Sequence, residues 1–208
     1  MAEQPKCKIC RRLGTKLFLK GEKCSSPKCP FLKKDYPPGE QGGRRRRRLS
    51  EYGKELREKQ KLRHMYNLSE NQFRNYVEQV LEGNPENFSE SLIRKLEQRL
   101  DNVVFRLGLA KSRPQARQLV THGHFSVNDD QVNVPSRQLE EGDTVAIRSS
   151  SEDKKVFKNL ESRLKNYEVP GWLKLDRANL EGEVIGTPSL DEISISVKVP
   201  TIFEFYSR

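Results

Sequence analysis

The residues from Leu92 to Asn128 constrain this chain more than any other stretch, because they predict two helices, a short turn between them and a following strand. In the first predicted helix, apolar residues recur at three- and four-residue spacing and form one face. These residues are Leu92, Leu96, Leu100, Val103, Val104 and Leu107. Gly108 is expected to end this helix in the left-handed conformation that glycine tolerates.

The second predicted helix begins at residues 112–115, whose sequence Ser-Arg-Pro-Gln has the pattern of a capping box. Ser112 would cap the helix, and Gln115 stands at the third helical position. Arg113 and Arg117 are four residues apart and therefore share one face of the helix. The free N–H groups and positive dipole end at its N-terminus suit phosphate.

These features predict a compact RNA-binding surface, although an ordinary helical hairpin with a solvated basic face would have the same composition. His122 and His124 could suggest a metal pair, but no nearby Cys or acid completes a ligand set. Near a helix C-terminus a positive imidazole is favoured, so we predict that both face RNA. The RNA contacts predicted in this stretch are Arg99, Arg106, Lys111, Ser112, Arg113, Gln115, Arg117, His122 and His124.

Three segments of this stretch closely resemble the RNA-binding module named after small-ribosomal-subunit protein four: Arg99–Gly108, Ser112–Val120 and His122–Asn128. The resemblance to that ribosomal protein family, in its cysteine-containing bacterial-type form, covers nearly the whole chain. One departure is visible in the hairpin turn, where Asn128 is followed by Asp129 instead of the glycine that the family favours. Aspartate adopts the left-handed backbone conformation at some cost in free energy, so this departure affects the geometry of the turn.

The charge of the chain is concentrated in its first third. Residues 1–66 hold 20 Lys and Arg against seven Asp and Glu, a net charge of +13, and the remainder has −3. The total of +10 favours a polyanion partner, nucleic acid first, and the asymmetry predicts a basic arm on a more neutral body. No signal peptide, membrane span or long basic amphipathic helix is visible, so we expect a cytoplasmic protein without membrane contact.

A run of five arginines, Arg44 to Arg48, follows a Pro- and Gly-rich segment. Such a run cannot pack into a core and stays solvated until it meets an anion. A plain solubilising linker is the alternative, but arginine binds phosphate through two parallel hydrogen bonds and stacks on bases, which favours RNA contact. The further RNA contacts predicted in this third are Arg44, Arg45, Arg46, Arg47, Arg48, Arg57, Lys59, Lys61 and Arg63.

Four cysteines occur as two close pairs, Cys7 with Cys10 and Cys24 with Cys29. Each pair can offer two thiolates from one side of a metal, and four thiolates close a tetrahedral site that leaves no position for catalysis. We therefore expect a structural zinc site, with four free thiols or disulfides as the alternative. An iron–sulfur cluster uses the same four ligands and is a further alternative to zinc.

The patterns together predict an α+β fold with a metal knuckle and a helical N-terminal domain. Residues 1–43 would form the metal segment, 44–90 the helical domain and 91–197 an RNA-binding domain of two helices on a small, mainly antiparallel sheet, with its module at about 97–160. The resemblance to the ribosomal family implies that the tail 198–208 returns to the helical domain, so that the RNA-binding domain is inserted between the helices and the tail. Helices are expected at 50–66, at 69–83, from Ser89 and from Ser151 to Tyr167, with strands at 125–127, 132–134, 144–148, 183–185 and 193–197.

The predicted function is that of a structural RNA-binding protein without enzymatic activity. The resemblance implies binding to the 5′ domain of small-subunit rRNA, early assembly of the subunit body and a contribution to decoding accuracy. It also implies contact with small-subunit protein five and with mRNA where it enters the subunit. We expect no homo-oligomer. An RNA-modifying enzyme that uses the same module and a metal-knuckle adaptor for proteins remain the alternatives.

Overall fold

The computed structural model describes residues 5–40, 42, 48–190, 192–193 and 195–207. The fold is α+β, as predicted. The helices are α1 Lys6–Leu13, α2 Glu22–Ser25, α3 Pro30–Lys33, α4 Glu51–Met65, α5 Glu70–Gly83, α6 Phe88–Glu97, α7 Leu100–Arg106, α8 Arg113–Thr121, α9 Ser149–Glu152, α10 Leu160–Leu164 and α11 Pro200–Tyr206. The strands are β1 Phe125–Val127, β2 Asp130–Val132, β3 Thr144–Ile147, β4 Leu173–Asp176 and β5 Glu181–Val184.

The chain forms two compact units. The first comprises the described residues up to Ser89 together with those from Ile195 onwards, and the second runs from Glu90 to the described residues before Ile195. The second unit is therefore inserted between the helices and the tail of the first. Of the predicted arginine run, Arg44, Arg45, Arg46 and Arg47 lie outside the described residues, whereas Arg48 is exposed.

Helices α4 and α5 begin where the sequence predicts because their caps are local. The Ser50 hydroxyl accepts a hydrogen bond from the Gly53 N–H at 3.2 Å and starts α4. Before α5, the Ser69 hydroxyl accepts from the Gln72 N–H at 3.2 Å, and the Gln72 side chain accepts from the Ser69 N–H at 3.3 Å. Both halves of the predicted capping box are thus present.

The tail of the chain packs against α4. Ile202 is fully buried, and the ring of Phe205 lies 5.5 Å from that of Tyr52. The Tyr206 hydroxyl donates to the Glu70 carboxylate at 3.3 Å. Residues of the tail and of α4 and α5, which are far apart in sequence, therefore share one packed interface.

The sheet of the second unit has the order β2-β1-β3-β5-β4, and every pairing is antiparallel, as the sequence predicts. Helices α7 and α8 contact one another, and their apolar faces form one core with the sheet. Val104, Val120, Phe125 and Val145 are all fully buried in this core. The core fixes the outer faces of α7 and α8, which carry the predicted arginines.

The prediction of one continuous helix through Leu92 and Leu107 is wrong, because the chain breaks between α6 and α7. Arg99 forms an isolated antiparallel bridge with Gln138. The Leu139 N–H donates to the Gln98 carbonyl at 2.9 Å, and the Leu100 N–H donates to the Arg137 carbonyl at 2.8 Å. These bonds to a distant segment replace the intrahelical bonds that a continuous helix needs.

Two further predictions differ from the structure. The helix predicted from Ser151 to Tyr167 is two short helices, α9 and α10, because turns centred near Phe157 interrupt it and Val156 is 43% exposed rather than inward. Among the described residues of 193–197 no strand forms, while the strand β4 was not predicted. The helix expected from Ser89 begins one residue earlier, at Phe88.

The hairpin between β1 and β2 keeps a two-residue turn despite its missing glycine. Val127 pairs with Asp130, and both central residues have positive φ, 51° at Asn128 and 68° at Asp129. These φ signs match a type I′ turn. The Asn128 side chain supports the turn, because its amide oxygen accepts from the Thr144 N–H at 2.9 Å.

Substitution of Asp129 by glycine is expected to raise the free energy of unfolding by about 0.5–1 kcal/mol, because glycine adopts positive φ without steric cost. Urea denaturation measures the change. Asp130→Gly is the matched control: it makes the same chemical change inside β2 and should lower stability. Equal effects of the two variants would contradict the strain argument.

Candidate nucleic-acid interface

The candidate interface is built around two buried carboxylates, Glu97 at the end of α6 and Asp101 in the first turn of α7. Glu97 is completely buried. Arg106 donates to both of its oxygens, from Nε at 2.8 Å and from Nη2 at 2.7 Å. Arg113 Nη2 lies 3.5 Å from the same carboxylate. One buried acid therefore holds two arginines from different helices.

Asn102 connects these side chains. Its Nδ2 donates to the Glu97 carboxylate at 2.6 Å and to the Glu97 carbonyl at 2.9 Å. Its Oδ1 accepts from Arg113 Nε at 2.7 Å, and the Arg113 guanidinium also lies 4.6 Å from the centre of the Phe105 ring. These contacts fix both the position and the plane of the guanidinium.

Asp101 serves a second pair of arginines. Arg99 Nε and Nη2 donate to its two oxygens at 3.0 and 2.7 Å, and Arg117 Nη1 lies 3.6 Å away. Arg99 is only 1% exposed. The prediction of Arg99 as a surface RNA contact is therefore corrected: its guanidinium lies in the interior, where it pairs with Asp101.

The N-terminus of α8 is capped, but only half of the predicted capping box forms. The Ser112 hydroxyl accepts from the Gln115 N–H at 3.4 Å. The Gln115 side chain accepts from the Lys111 N–H at 2.9 Å instead of from Ser112. Ser112 is buried, Gln115 is half-buried and Lys111 is exposed, so of these three predicted contacts Lys111 presents the most surface.

The two histidines at the end of α8 differ. His122 is exposed, whereas His124 is buried and its Nδ1 lies 3.0 Å from the Ser151 hydroxyl and 3.2 Å from Lys154 Nζ. Burial lowers the pKa of His124, and the neighbouring charge of Lys154 lowers it further. The expectation of a positive imidazole is therefore corrected for His124.

The cations predicted on α4 are largely engaged within the first unit. Lys59 is 5% exposed, pairs with Glu70 and lies 4.4 Å from the centre of the Phe205 ring, so its predicted RNA contact is corrected to a packing role. Lys61 pairs with Glu58 at 2.6 Å, and Arg63 lies 3.5 Å from Glu70. Arg57 is half-buried.

Sequence reasoning missed the organising role of Glu97 and Asn102. The sequence pattern does not reveal these roles, because the partners of Glu97 include Arg106 and Arg113, which the packing of α7 and α8 brings to it. Arg163 was also missed: its Nη2 donates to the Gly108 carbonyl at 2.6 Å and supports the end of α7.

The four cysteines line one pocket in the first unit, together with apolar residues and lysines. Burial raises the pKa of the Cys10 thiol, and the nearby Cys24, Cys7 and Cys29 raise it further. The Lys20 N–H donates to the Cys24 sulfur at 3.3 Å. Across residues 5–40 and the rest of the described chain, however, no group of three or more His, Cys, Asp or Glu is compact enough to hold a metal.

Within the described part of the chain, no helix has both the length and the apolar character that crossing a bilayer requires.

Residues 98–145, which contain α7, α8, β1 and β2, match the class of module called the S4 domain. Residues 2–97 match the Ribosomal protein S4/S9 N-terminal domain. The chain is 50% identical over 206 residues to small ribosomal subunit protein uS4 of Dictyoglomus turgidum, covering 98% of this chain and 97% of the relative. It is 46% identical to the protein of the same name from Koribacter versatilis, covering 97% and 96%. The chain belongs to the uS4 family of small ribosomal subunit proteins, a family of ribosomal structural proteins and not of enzymes.

Proposed function

We propose that this protein is a structural constituent of the small ribosomal subunit that binds the 5′ domain of small-subunit rRNA and nucleates assembly of the subunit body. The observation that carries the proposal is the set of guanidiniums on α7 and α8, fixed by Glu97 and Asp101. Full-length similarity to the uS4 proteins supports the same role. Guanidiniums match phosphate oxygens bidentately, which suits a folded RNA surface.

Chemical footprinting on transcribed small-subunit rRNA, over a salt series, tests the proposal. We expect protection confined to one junction in the 5′ domain. The logarithm of the binding constant should fall linearly with the logarithm of salt, by about 0.7–0.9 per phosphate neutralised. An unrelated RNA of equal length and charge is the matched control. Weak, diffuse protection at every salt concentration would contradict the proposal and favour the alternative hypothesis of a metal-knuckle adaptor that binds proteins.

A structural metal in the first unit is the second part of the proposal. The four thiols share one pocket, and a backbone N–H group donates to one of the sulfurs, an arrangement that outer-shell groups of metal sites use to orient ligands. Cys7, Cys10, Cys24 and Cys29 would bind zinc and draw the sulfurs closer together. An iron–sulfur cluster would use the same four ligands.

The remaining expectations follow from family resemblance. They are contact with small-subunit protein five, contact with mRNA where it enters the subunit, a contribution to translational accuracy and a cytoplasmic location in the ribosome. Subunits are reconstituted with this protein, and crosslinks from this protein to mRNA and to protein five test these contacts. Subunits reconstituted without it are the control for the identity of the crosslinked bands. Absence of such crosslinks from complete subunits would contradict the contacts.

A further inference from the structure

We propose that Glu97 is a positioning residue for RNA binding: its buried carboxylate holds Arg106 and Arg113 in the orientation in which they meet RNA phosphates. The inference rests on the proposed function and adds to it an acidic residue that acts through two arginines. Asn102 is the relay, because it donates to Glu97 and accepts from Arg113.

The contacts around Glu97 fix the orientation of the Arg106 and Arg113 side chains in addition to neutralising its charge. Arg106 meets the two oxygens of Glu97 in a fork at 2.8 and 2.7 Å. Arg113 is held from three directions, by Asn102, by Glu97 and by the Phe105 ring. The Arg106 and Arg113 side chains remain 22% and 12% exposed. Part of each side chain thus reaches the surface while its orientation is fixed from below.

A purely electrostatic argument predicts the opposite role for this acid. A negative charge within a basic surface weakens attraction to phosphate. Nor does the ion pair itself explain the acid, because replacing a buried ion pair by apolar side chains often leaves folding stability unchanged. Arginine side chains otherwise lose much rotamer freedom when they bind. A carboxylate that restricts the two side chains before RNA arrives reduces that loss, which is preorganisation.

The two arguments predict effects of opposite sign for Glu97→Gln. This substitution is nearly isosteric and raises the charge of the surface by one. If only charge matters, affinity rises for every RNA. If Glu97 positions the arginines, affinity for the 5′-domain rRNA falls about tenfold or more, while affinity for an unrelated RNA of equal length stays the same or rises.

The experiment measures binding of the full-length protein to both RNAs for wild type and Glu97→Gln. The matched control is Glu183→Gln, which makes the same charge change at an exposed carboxylate that lies 3.6 Å from Lys174 on the sheet. Parallel behaviour of the two variants would overturn the inference. Loss of selectivity in Glu97→Gln alone supports it.

A double-mutant cycle separates positioning from general stability. In a background of Arg106→Gln and Arg113→Gln, the Glu97→Gln change should have little further effect on RNA selectivity. An undiminished effect there would mean that Glu97 acts through the fold and would overturn the inference. Urea denaturation of each variant accompanies the cycle.

Arg106→Lys provides a second variant in case Glu97→Gln does not fold. It keeps the charge but loses the two-pronged contact with Glu97, so selectivity should fall nearly as far as in Arg106→Gln. Arg94→Lys, at an exposed arginine 3.3 Å from Glu90, is its control and should be neutral. A neutral Arg106→Lys would overturn the inference. If wild type itself does not select the 5′ domain, the proposed function fails; if wild type selects it and Glu97→Gln does too, only the positioning role fails.

Discussion

Replacement of Asp101 by asparagine is expected to lower the free energy of unfolding by about 3–5 kcal/mol, because it removes the carboxylate that faces a buried guanidinium in the interior. Arg99 is the charge affected, at 1% exposure and with both donors on the Asp101 carboxylate. Asparagine offers one oxygen and turns an NH₂ group toward the second donor. Urea denaturation, monitored by circular dichroism, measures the loss.

The control for this prediction is again Glu183→Gln. The Lys174–Glu183 pair is exposed, so its loss should change stability by no more than about 1 kcal/mol. The double variant Arg99→Met with Asp101→Leu removes both charges and should be less destabilised than Asp101→Asn alone. If Asp101→Asn and the control were equally stable, the buried pair would have no special importance to the fold.

If the metal proposed for the four cysteines is bound, its removal from the purified protein is expected to unfold residues 5–40 while the sheet of the second unit persists. The buried apolar cluster here is small, with Cys10, Leu13, Leu17 and Leu19 at its centre. Zinc contributes about 10–16 kcal/mol of apparent binding energy to small zinc-finger peptides, and a core of this size cannot replace such a contribution. Chelation under reducing conditions should therefore release zinc and abolish the protection of α1 amides from hydrogen exchange.

Cys10→Ser should reproduce the effect of the chelator, and Ser25→Ala, a substitution in the same segment at an exposed residue, should not. Metal analysis distinguishes zinc from iron, and visible absorbance reports an iron–sulfur cluster. Retention of α1 protection after chelation, with no metal released, would contradict a structural metal.

Sequence patterns predict the parts of this fold whose causes are local. The capping box at Ser69 and the existence of a hairpin after β1 depend on residues close in sequence, so their patterns predicted them, although β2 lies at Asp130–Val132 and not at the predicted 132–134. The break before α7 could not be predicted, because residues 135–139, far along the chain, supply the hydrogen bonds that interrupt the helix. The pairing of β3 with β5 is likewise non-local.

In the candidate site, the sequence likewise cannot predict which basic residues are exposed. The sequence identifies a basic stretch, but the number of arginines does not reveal which of them are buried. Arg99 and Lys59 were both predicted as RNA contacts, and both are buried beside acids, Asp101 and Glu70. Which cation meets which acid depends on how the helices pack, and that information becomes available only with the tertiary structure.

The return of α11 to α4 has a consequence for folding during synthesis. A chain made from its N-terminus supplies every strand of the second unit before α11 emerges. The inserted unit can therefore complete its core on the nascent chain, whereas the flanking unit must wait for its last helix. Vectorial synthesis would thus give the sheet and its arginine-bearing helices time to form first, with the first unit closing afterwards.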